Sequence, residues 1–313
     1  MKEKLSVIIP FLNEAENISH LVSSLNEYFK NNHQYAAEII FVNDGSSDNS
    51  VDLLKKSNHE YYSCKIISLS KNYGSHAALR AGMLHSSGDY ISFIYADLQD
   101  PLTLIDELYN QCKQDFDIVW ACRQSTENSF FEETFSKTYS YLMRKYAVAT
   151  YPEKGFDVVM FSKKVQQLVN QNIEANSSIF LQILTLGFKQ SSIFYKKETR
   201  KSGKSKWTLA KKIKLFVDSF IAFSYFPIRL VTYVGFLFFI FGLLWTVYIV
   251  SRKLLYNDLE AGWPALVSIL MLGFGITNIS LGIIAEYLWR TLDSARKRPV
   301  FIIDEITEIN TLK

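Results

Sequence analysis

The chain has 313 residues, and its 34 lysines and arginines nearly balance its 31 aspartates and glutamates, for a formal net charge of +3. This balance gives no indication of a nucleic-acid partner, because such proteins carry strongly basic surfaces. The three cysteines (Cys64, Cys112 and Cys122) form no CxxC pair, which favours buried free thiols in a reducing compartment. The five histidines show no zinc-binding spacing.

The first 125 residues alternate between short apolar stretches and helical patterns. Near-continuous apolar strands, repeating at intervals of about 25–35 residues, are typical of a parallel sheet covered by helices on both faces. We therefore predict an α/β fold. The predicted strands lie at residues 5–9, 38–42, 65–69, 90–94 and 116–121, with helices at 13–29 and 75–86.

Polar residues follow four of these strands directly. Each of them alone suits a turn or a helix cap. Ligands bind beyond the carboxyl ends of parallel strands, however, so we expect all four sets to line one crevice. The chain has no GxxxxGK[ST] loop and no GxGxxG after the first strand, so neither common nucleotide motif is present. The residues are Asn13 and Glu14, then Asp44, then Lys71 and Asn72, then Asp97.

A cluster of oxygen-bearing side chains follows the fourth strand, in residues 95–101 (YADLQDP). Pro101 suits the first turn of a helix, with Asp100 as its N-cap. The carboxylates of Asp97 and Asp100 and the amide oxygen of Gln99 are hard oxygen ligands of the kind that suits Mg²⁺ or Mn²⁺, and a cation bound there could hold a diphosphate. A solvated turn with an aspartate helix cap is the alternative explanation of the same residues.

The next part of the chain is less regular. We predict a helix at 132–148, a strand at 158–161, a helix at 177–187 and a strand at 192–195. From residue 196 to residue 214 the sequence becomes strongly basic. Apolar residues recur there at helical spacing opposite the lysines, which is typical of a helix lying on a membrane surface. We assign residues 206–228 to this surface segment, after a catalytic domain at 1–205.

Two long stretches without charged residues follow, at 230–250 and 261–285. Each exceeds the roughly 20 residues that cross a bilayer, so we predict a two-helix transmembrane hairpin at 229–289. Basic residues are concentrated on both outer sides of the hairpin, which places both ends in the cytoplasm. We expect the cytoplasmic tail, 290–313, to offer residues 299–303 as a strand to a neighbouring chain.

Several short motifs resemble those of a known family. Three of them look like family 2 glycosyltransferases of GT-A fold: residues 7–14 (VIIPFLNE), 42–48 (VNDGSSD) and 96–101 (ADLQDP). More narrowly, the chain is similar to polyprenyl-phosphate glycosyltransferases, the group that includes dolichyl-phosphate mannose synthase. The motifs that carry this narrower similarity are 155–157 (GFD), 200–207 (RKSGKSKW), 286–290 (EYLWR) and 298–299 (RP).

The resemblance implies a multi-pass enzyme of the inner or plasma membrane with a cytoplasmic catalytic domain, acting as a homo-oligomer, expected to be a tetramer. It would transfer a sugar, with inversion, from a UDP- or GDP-linked donor to a polyprenyl phosphate such as undecaprenyl phosphate, using Mg²⁺ or Mn²⁺. The implied nucleotide-sugar contacts are Pro10, Asn13, Glu14, Asp44, Lys71, Tyr95, Ala96 and Asp97. The implied metal ligands are Asp97 and Gln99, and the implied catalytic residues are Asp157 and Asp97. The implied lipid-phosphate contacts are Arg200, Ser202, Ser205 and Lys206.

The sequence departs from the family pattern at two positions. Tyr95 stands where the family usually has aspartate, and Asn43 replaces another common aspartate. The first change leaves open how tightly a metal binds and which donor is used. It also motivates one alternative, a non-catalytic membrane-anchored protein that binds a nucleotide. A processive polysaccharide synthase is the other alternative, but the chain lacks a QxxRW motif and the additional spans of such enzymes.

Overall fold

The computed structural model describes residues 2–124, 130–152, 155–173, 177–197, 224, 226–256, 262–296 and 298–309. The chain divides into two compact units. The first unit contains Met1–Ser219 together with Pro299–Lys313, and the second contains Phe220–Arg298.

The described part of the first unit is built on an eight-stranded sheet. Its strands are β1 (Lys4–Phe11), β2 (Ala36–Asn43), β3 (Ser63–Leu69), β4 (Tyr90–Phe93), β5 (Ile118–Arg123), β6 (Val158–Ser162), β7 (Gln190–Tyr195) and β8 (Ile303–Ile309). Their spatial order is β7-β5-β6-β4-β1-β2-β3-β8. Strands β4, β1, β2 and β3 run parallel to one another, as do β5 and β7. Strand β6 is antiparallel to β4 and β5, and β8 is antiparallel to β3.

Helices flank this sheet, which confirms the predicted α/β architecture with a mostly parallel sheet. Helix α1 (Ala15–Asn31) buries Ile18, Leu21 and Leu25, whose spacing of three and four residues forms one face. Helix α3 (Ser75–Leu84) lies so close to β1 that a Cβ atom on Gly82 would overlap the Ile8 side chain. In the described part of the first unit, the helices are α1 (Ala15–Asn31), α2 (Ser50–Lys56), α3 (Ser75–Leu84), α4 (Leu104–Cys112), α5 (Phe130–Tyr146), α6 (Lys163–Gln171) and α7 (Ile179–Leu184).

The central strands are buried on both faces. Val7, Ile8 and Ile9 of β1 are all completely buried, and so are Ile39 and Ile40 of β2. A strand covered by helices on both sides has no polar face, which explains why these segments are near-continuous apolar runs in the sequence.

The structure corrects the predicted start of the helix after β4. The helix α4 begins at Leu104 with Thr103 at its N-cap position, so Asp100 does not cap it. The Asp-Pro pair has the local pattern of a helix start. The Asp100 side chain is instead almost fully buried beside the end of β7, as described below.

The tail adds a strand to its own sheet. The strand β8 forms at residues 303–309 and pairs antiparallel with β3 at one end of the sheet. Two ion pairs support this pairing, Lys55 with Glu305 at 2.8 Å and Lys65 with Glu308 at 3.2 Å. The strand predicted at 299–303 for a neighbouring chain stays a prediction.

The described part of the second unit consists of two long helices, α8 (Phe226–Tyr256) and α9 (Trp263–Ala295). The Tyr287 hydroxyl donates a hydrogen bond of 3.1 Å to the backbone oxygen of Ser224. Within the described residues, no helix combines the length and the apolarity needed to cross a membrane. The two transmembrane spans therefore remain a prediction from the sequence.

One partly buried histidine is expected to make the stability of the first unit depend on pH. The imidazole of His76 packs edge-on against Phe180, with 5.7 Å between ring centroids, and its buried Nδ1 has no hydrogen-bond partner among the described residues. Burial, and then the positive charge of Arg80, lower the pKa of His76 from 6.5 to about 4.

We therefore expect the free energy of unfolding to fall as the pH is lowered from about 6.5 to about 4. Over that range His76 is protonated in the unfolded chain but stays neutral in the folded chain. The free energy of unfolding therefore falls by about 3 kcal/mol. Other groups titrate in the same range, so the test compares the wild type with His76→Leu by urea unfolding at several pH values. The variant should lose about 3 kcal/mol less than the wild type between pH 7 and pH 4. Replacing the exposed His20 by leucine is the control. If both variants reduce the pH dependence of the free energy of unfolding equally, His76 is not its cause.

Candidate active site

The predicted site residues that the structure describes lie at one edge of the sheet. Strands β4, β1, β2 and β3 are neighbours and run parallel, so their carboxyl ends are adjacent. The loops that follow these ends carry, in this spatial order, Asp97, then Asn13 and Glu14, then Asp44, then Lys71. Pro10 and Ala96 are buried beside them, Pro10 within β1 opposite Val42.

Hydrogen bonds tie the loop after β1 to the loop after β2. Asn13 has a φ of +50°, its backbone N–H donates to Ser46 Oγ at 2.9 Å, and its Oδ1 accepts from the Ser47 N–H at 2.8 Å. The Glu14 N–H donates to Ser50 Oγ at 3.0 Å, and its carboxylate accepts from Asn17. The Asn13 side chain therefore fixes the shape of this part of the crevice.

Asp44 connects the loop after β2 to the loop after β3. It is 5% exposed and accepts hydrogen bonds from the N–H groups of Tyr73 at 2.7 Å and Gly74 at 3.0 Å. Burial raises the pKa of Asp44, and the two backbone donors partly oppose that rise. The neighbouring Gly45 has a φ of +73° and lies against the backbone of Lys71, where a side chain would not fit. Lys71 itself is exposed, with its Nζ 5.1 Å from the centre of the Tyr73 ring.

Tyr95, in the loop after β4, is influenced by the charges of three carboxylates, two from its own loop and one from the segment before β6. Burial, and then the charges of Asp157, Asp100 and Asp97, raise the pKa of Tyr95, while Arg123 acts in the opposite direction. The phenol is therefore protonated at neutral pH and offers a hydrogen-bond donor.

Asp157 lies just before β6 and is held by a cation. Arg123, at the end of β5, forms a two-pronged ion pair with it, through Nε to Oδ2 and through Nη2 to Oδ1 at 2.6 Å. The Tyr195 hydroxyl lies 3.2 Å from Asp157 Oδ2. Because the Arg123 guanidinium balances its negative charge, Asp157 is suited to orienting a ligand more than to removing a proton.

Asp100 is a buried member of the same cluster. It is 1% exposed, its Oδ1 accepts a hydrogen bond of 2.5 Å from the Tyr195 hydroxyl, and Lys197 Nζ lies 3.5 Å away. Its Oδ2 is buried without a hydrogen-bond partner among the described residues. Burial raises the pKa of Asp100, which Lys197 and Tyr195 partly offset.

Sequence reasoning missed three members of this cluster: Arg123, Tyr195 and Lys197. A signal was available for Arg123, because it ends a strand at the same edge as the other site residues. No comparable signal marked Tyr195, whose role depends on two contacts with residues that are 38 and 95 positions away.

The oxygen atoms near the β4 loop fit a cation that is bound together with a diphosphate. Among the described residues, no group of three or more His, Cys, Asp or Glu side chains is arranged to hold a metal. Mg²⁺ typically takes one or two carboxylates and completes its shell with substrate phosphates and waters. Asp97 and Gln99 offer a carboxylate and an amide oxygen of that kind, and Gln99 N–H also donates to Asp97 Oδ1 at 3.3 Å.

The predicted lipid-phosphate contacts fall outside the described residues. They are Arg200, Ser202, Ser205 and Lys206. Most of the predicted surface segment, 206–228, also falls outside them.

Comparison with known proteins identifies the family. Residues 6–183 match the profile of glycosyl transferase family 2. The chain belongs to this family. It is 31% identical over 301 residues to the uncharacterized glycosyltransferase YkcC of Bacillus subtilis, covering 96% of this chain and 93% of that protein. It is 28% identical over 307 residues to the undecaprenyl-phosphate 4-deoxy-4-formamido-L-arabinose transferase of Yersinia pestis, covering 97% and 94%.

Solved structures of glycosyltransferases also resemble the chain, at low identity. Glucosyl-3-phosphoglycerate synthase from Mycobacterium tuberculosis, in complex with Mn²⁺, UDP-glucose and phosphoglyceric acid, has 14% identity and a TM-score of 0.48. The alignment covers 70% of this chain and 79% of that one. The family match and the glycosyltransferase relatives confirm the predicted resemblance, and the chain is a glycosyltransferase.

Proposed function

We propose that this glycosyltransferase transfers a single sugar from a nucleotide-sugar to a polyprenyl phosphate at the cytoplasmic face of a membrane. The observation that carries the proposal is the alignment, over nearly the whole chain, with a relative named as an undecaprenyl-phosphate transferase. The geometry supports it, because the loops after β1, β2, β3 and β4 and the Asp157–Arg123 pair form one polar edge of the sheet.

The donor binds along this edge. The loops fixed by Asn13 and Asp44 hold the nucleotide, with Glu14, Lys71 and Tyr95 as further contacts. Asp97 and Gln99 hold a divalent cation that neutralises the diphosphate as the nucleotide leaves. The protonated Tyr95 offers a hydrogen bond to the donor and, unlike a carboxylate, adds no negative charge beside the diphosphate.

The acceptor approaches the side of the cleft that contains Asp157. A phosphate monoester has a second pKa near 6 and is already largely ionised at neutral pH, so its attack on the anomeric carbon needs no strong base. Asp157, held by Arg123, orients the reactants. The lipid phosphate is bound by Arg200, Ser202, Ser205 and Lys206, and the anomeric configuration is inverted.

The membrane supplies the acceptor. Residues 206–228 lie on the bilayer surface in this proposal, and the hairpin at 229–289 crosses the bilayer. Large apolar side chains of α8 and α9 support this part of the proposal, since Phe236, Leu237, Phe274 and Leu288 are each more than half exposed.

The test uses the full chain in nanodiscs with Mn²⁺, undecaprenyl phosphate and a panel of UDP- and GDP-linked sugars. We expect one donor to yield a lipid carrying one sugar, identified by mass spectrometry, and no product when undecaprenol replaces its phosphate. Nucleotide-sugar binding without turnover on any lipid phosphate would overturn the proposal in favour of a binding protein. A ladder of polymer lengths would favour a processive synthase.

A further inference from the structure

Two residues that face each other across neighbouring strands hold Asp157. The parallel pairing of β5 with β7 places Arg123 directly opposite Tyr195. The pairing continues with a hydrogen bond of 2.9 Å from the Gln124 N–H to the backbone carbonyl oxygen of Tyr195. Residues in direct register project from the same face of a sheet. The guanidinium and the phenol therefore reach Asp157 from adjacent positions.

The Tyr195 hydroxyl contacts a second carboxylate from a different part of the chain. It lies 2.5 Å from Asp100 Oδ1 and 3.2 Å from Asp157 Oδ2. Tyr195 is 5% exposed and Asp100 1%, so these contacts are shielded from water. One phenol thus joins the loop after β4, which contains Asp97 and Gln99, to the segment before β6, which contains Asp157.

Each of the two carboxylates also has a cation beside it. Arg123 is paired with Asp157, and Lys197 lies 3.5 Å from Asp100. Removing the hydroxyl would leave both cations in place and would remove a contact that joins the two loops.

We propose that Tyr195 is a positioning residue that sets the distance between the diphosphate-binding loop and Asp157, and so aligns the donor with the acceptor. This inference rests on the proposed function, because it places the donor diphosphate at Asp97 and the acceptor beside Asp157. A displacement of about 1 Å between reacting groups lowers an enzymatic rate by about a hundredfold.

The test measures kcat and KM for the variant Tyr195→Phe, which keeps the buried ring and removes only the hydroxyl. We expect kcat for sugar transfer to fall about 10- to 100-fold, with KM for the nucleotide-sugar within about threefold of wild type. The affinity for the nucleoside diphosphate with Mn²⁺, measured by calorimetry, should be unchanged. That binding also shows that the variant is folded.

The matched control is Tyr35→Phe. The Tyr35 hydroxyl is 2.9 Å from Asp106 Oδ1, and Tyr35 is buried, so this variant also loses a buried bond between a phenol and a carboxylate. The control should keep its kcat. A kcat of Tyr195→Phe within twofold of wild type, or an equal fall in both variants, would overturn the inference while leaving the proposed function intact. A wild-type enzyme that forms no lipid-linked sugar would instead overturn the proposed function, and this inference with it.

Discussion

Asp97→Ala is expected to lower the rate of sugar transfer at least about a thousandfold. Asp97 provides the carboxylate of the proposed cation site, and the cation neutralises the charge that develops on the leaving diphosphate. A thousandfold loss corresponds to about 4 kcal/mol of transition-state stabilisation. The neutral Tyr95 next to it in the loop cannot replace the lost charge, since its pKa is raised by burial and by the neighbouring carboxylates.

The measurement is formation of the lipid-linked sugar at saturating donor and Mn²⁺. Binding of Mn²⁺ in the presence of the nucleoside diphosphate, followed by electron paramagnetic resonance, should weaken in parallel. Asp115→Asn is the control, because the Asp115 carboxylate is 94% exposed and lies outside the proposed site. Transfer by Asp97→Ala within tenfold of wild type would remove Asp97 from the cation site.

Gly45→Ala is expected to destabilise the first unit by about 2–5 kcal/mol. Gly45 has a φ of +73°, where an alanine costs about 1–2 kcal/mol. An added Cβ would also lie 2.5 Å from the carbonyl carbon of Lys71 and 2.6 Å from the nitrogen of Asn72. Both are backbone atoms that cannot rotate away, and overpacking of this kind costs about 1–3 kcal/mol.

The variant Gly187→Ala separates the cost of the positive φ from the cost of the Cβ overlap. Gly187 has the same φ of +73°, but a Cβ there would meet no atom within 4 Å. Urea unfolding should therefore show a loss of about 1–2 kcal/mol for Gly187→Ala and a larger loss for Gly45→Ala. Equal losses would mean that the loop after β3 moves aside at little cost. Displacement of that loop should also weaken nucleotide binding, because its Tyr73 and Gly74 N–H groups hold Asp44.

The sequence alone predicted the sheet and the edge at which the site lies. The apolar run of β1 is recognisable because helices cover both of its faces, so each of its side chains must suit a core. Asp44 and Asp97 were found by one rule, that ligands bind beyond the carboxyl ends of parallel strands. Their roles in catalysis remain predictions that the variants above test.

Local signals failed where a side chain is used by a distant part of the chain. Asp100 and Pro101 have the pattern of a helix start, yet α4 begins only at Leu104. The Asp100 carboxylate instead contacts Tyr195 and Lys197. The strand β8 was not predicted from the sequence. It joins the sheet beside β3, and a sequence pattern does not specify which edge a strand joins.

By itself, then, the sequence determined the α/β fold and the edge where polar loops converge, because strand burial and turn chemistry act over a few residues. The family was indicated by the resemblance of its short motifs. Only the tertiary structure decided what surrounds Asp157. The pairing of β5 with β7 sets Arg123 beside Tyr195 across 72 positions of the chain, and Tyr195 then reaches Asp100 across 95. Such contacts depend on which strands become neighbours, and that choice is made by packing of the whole sheet.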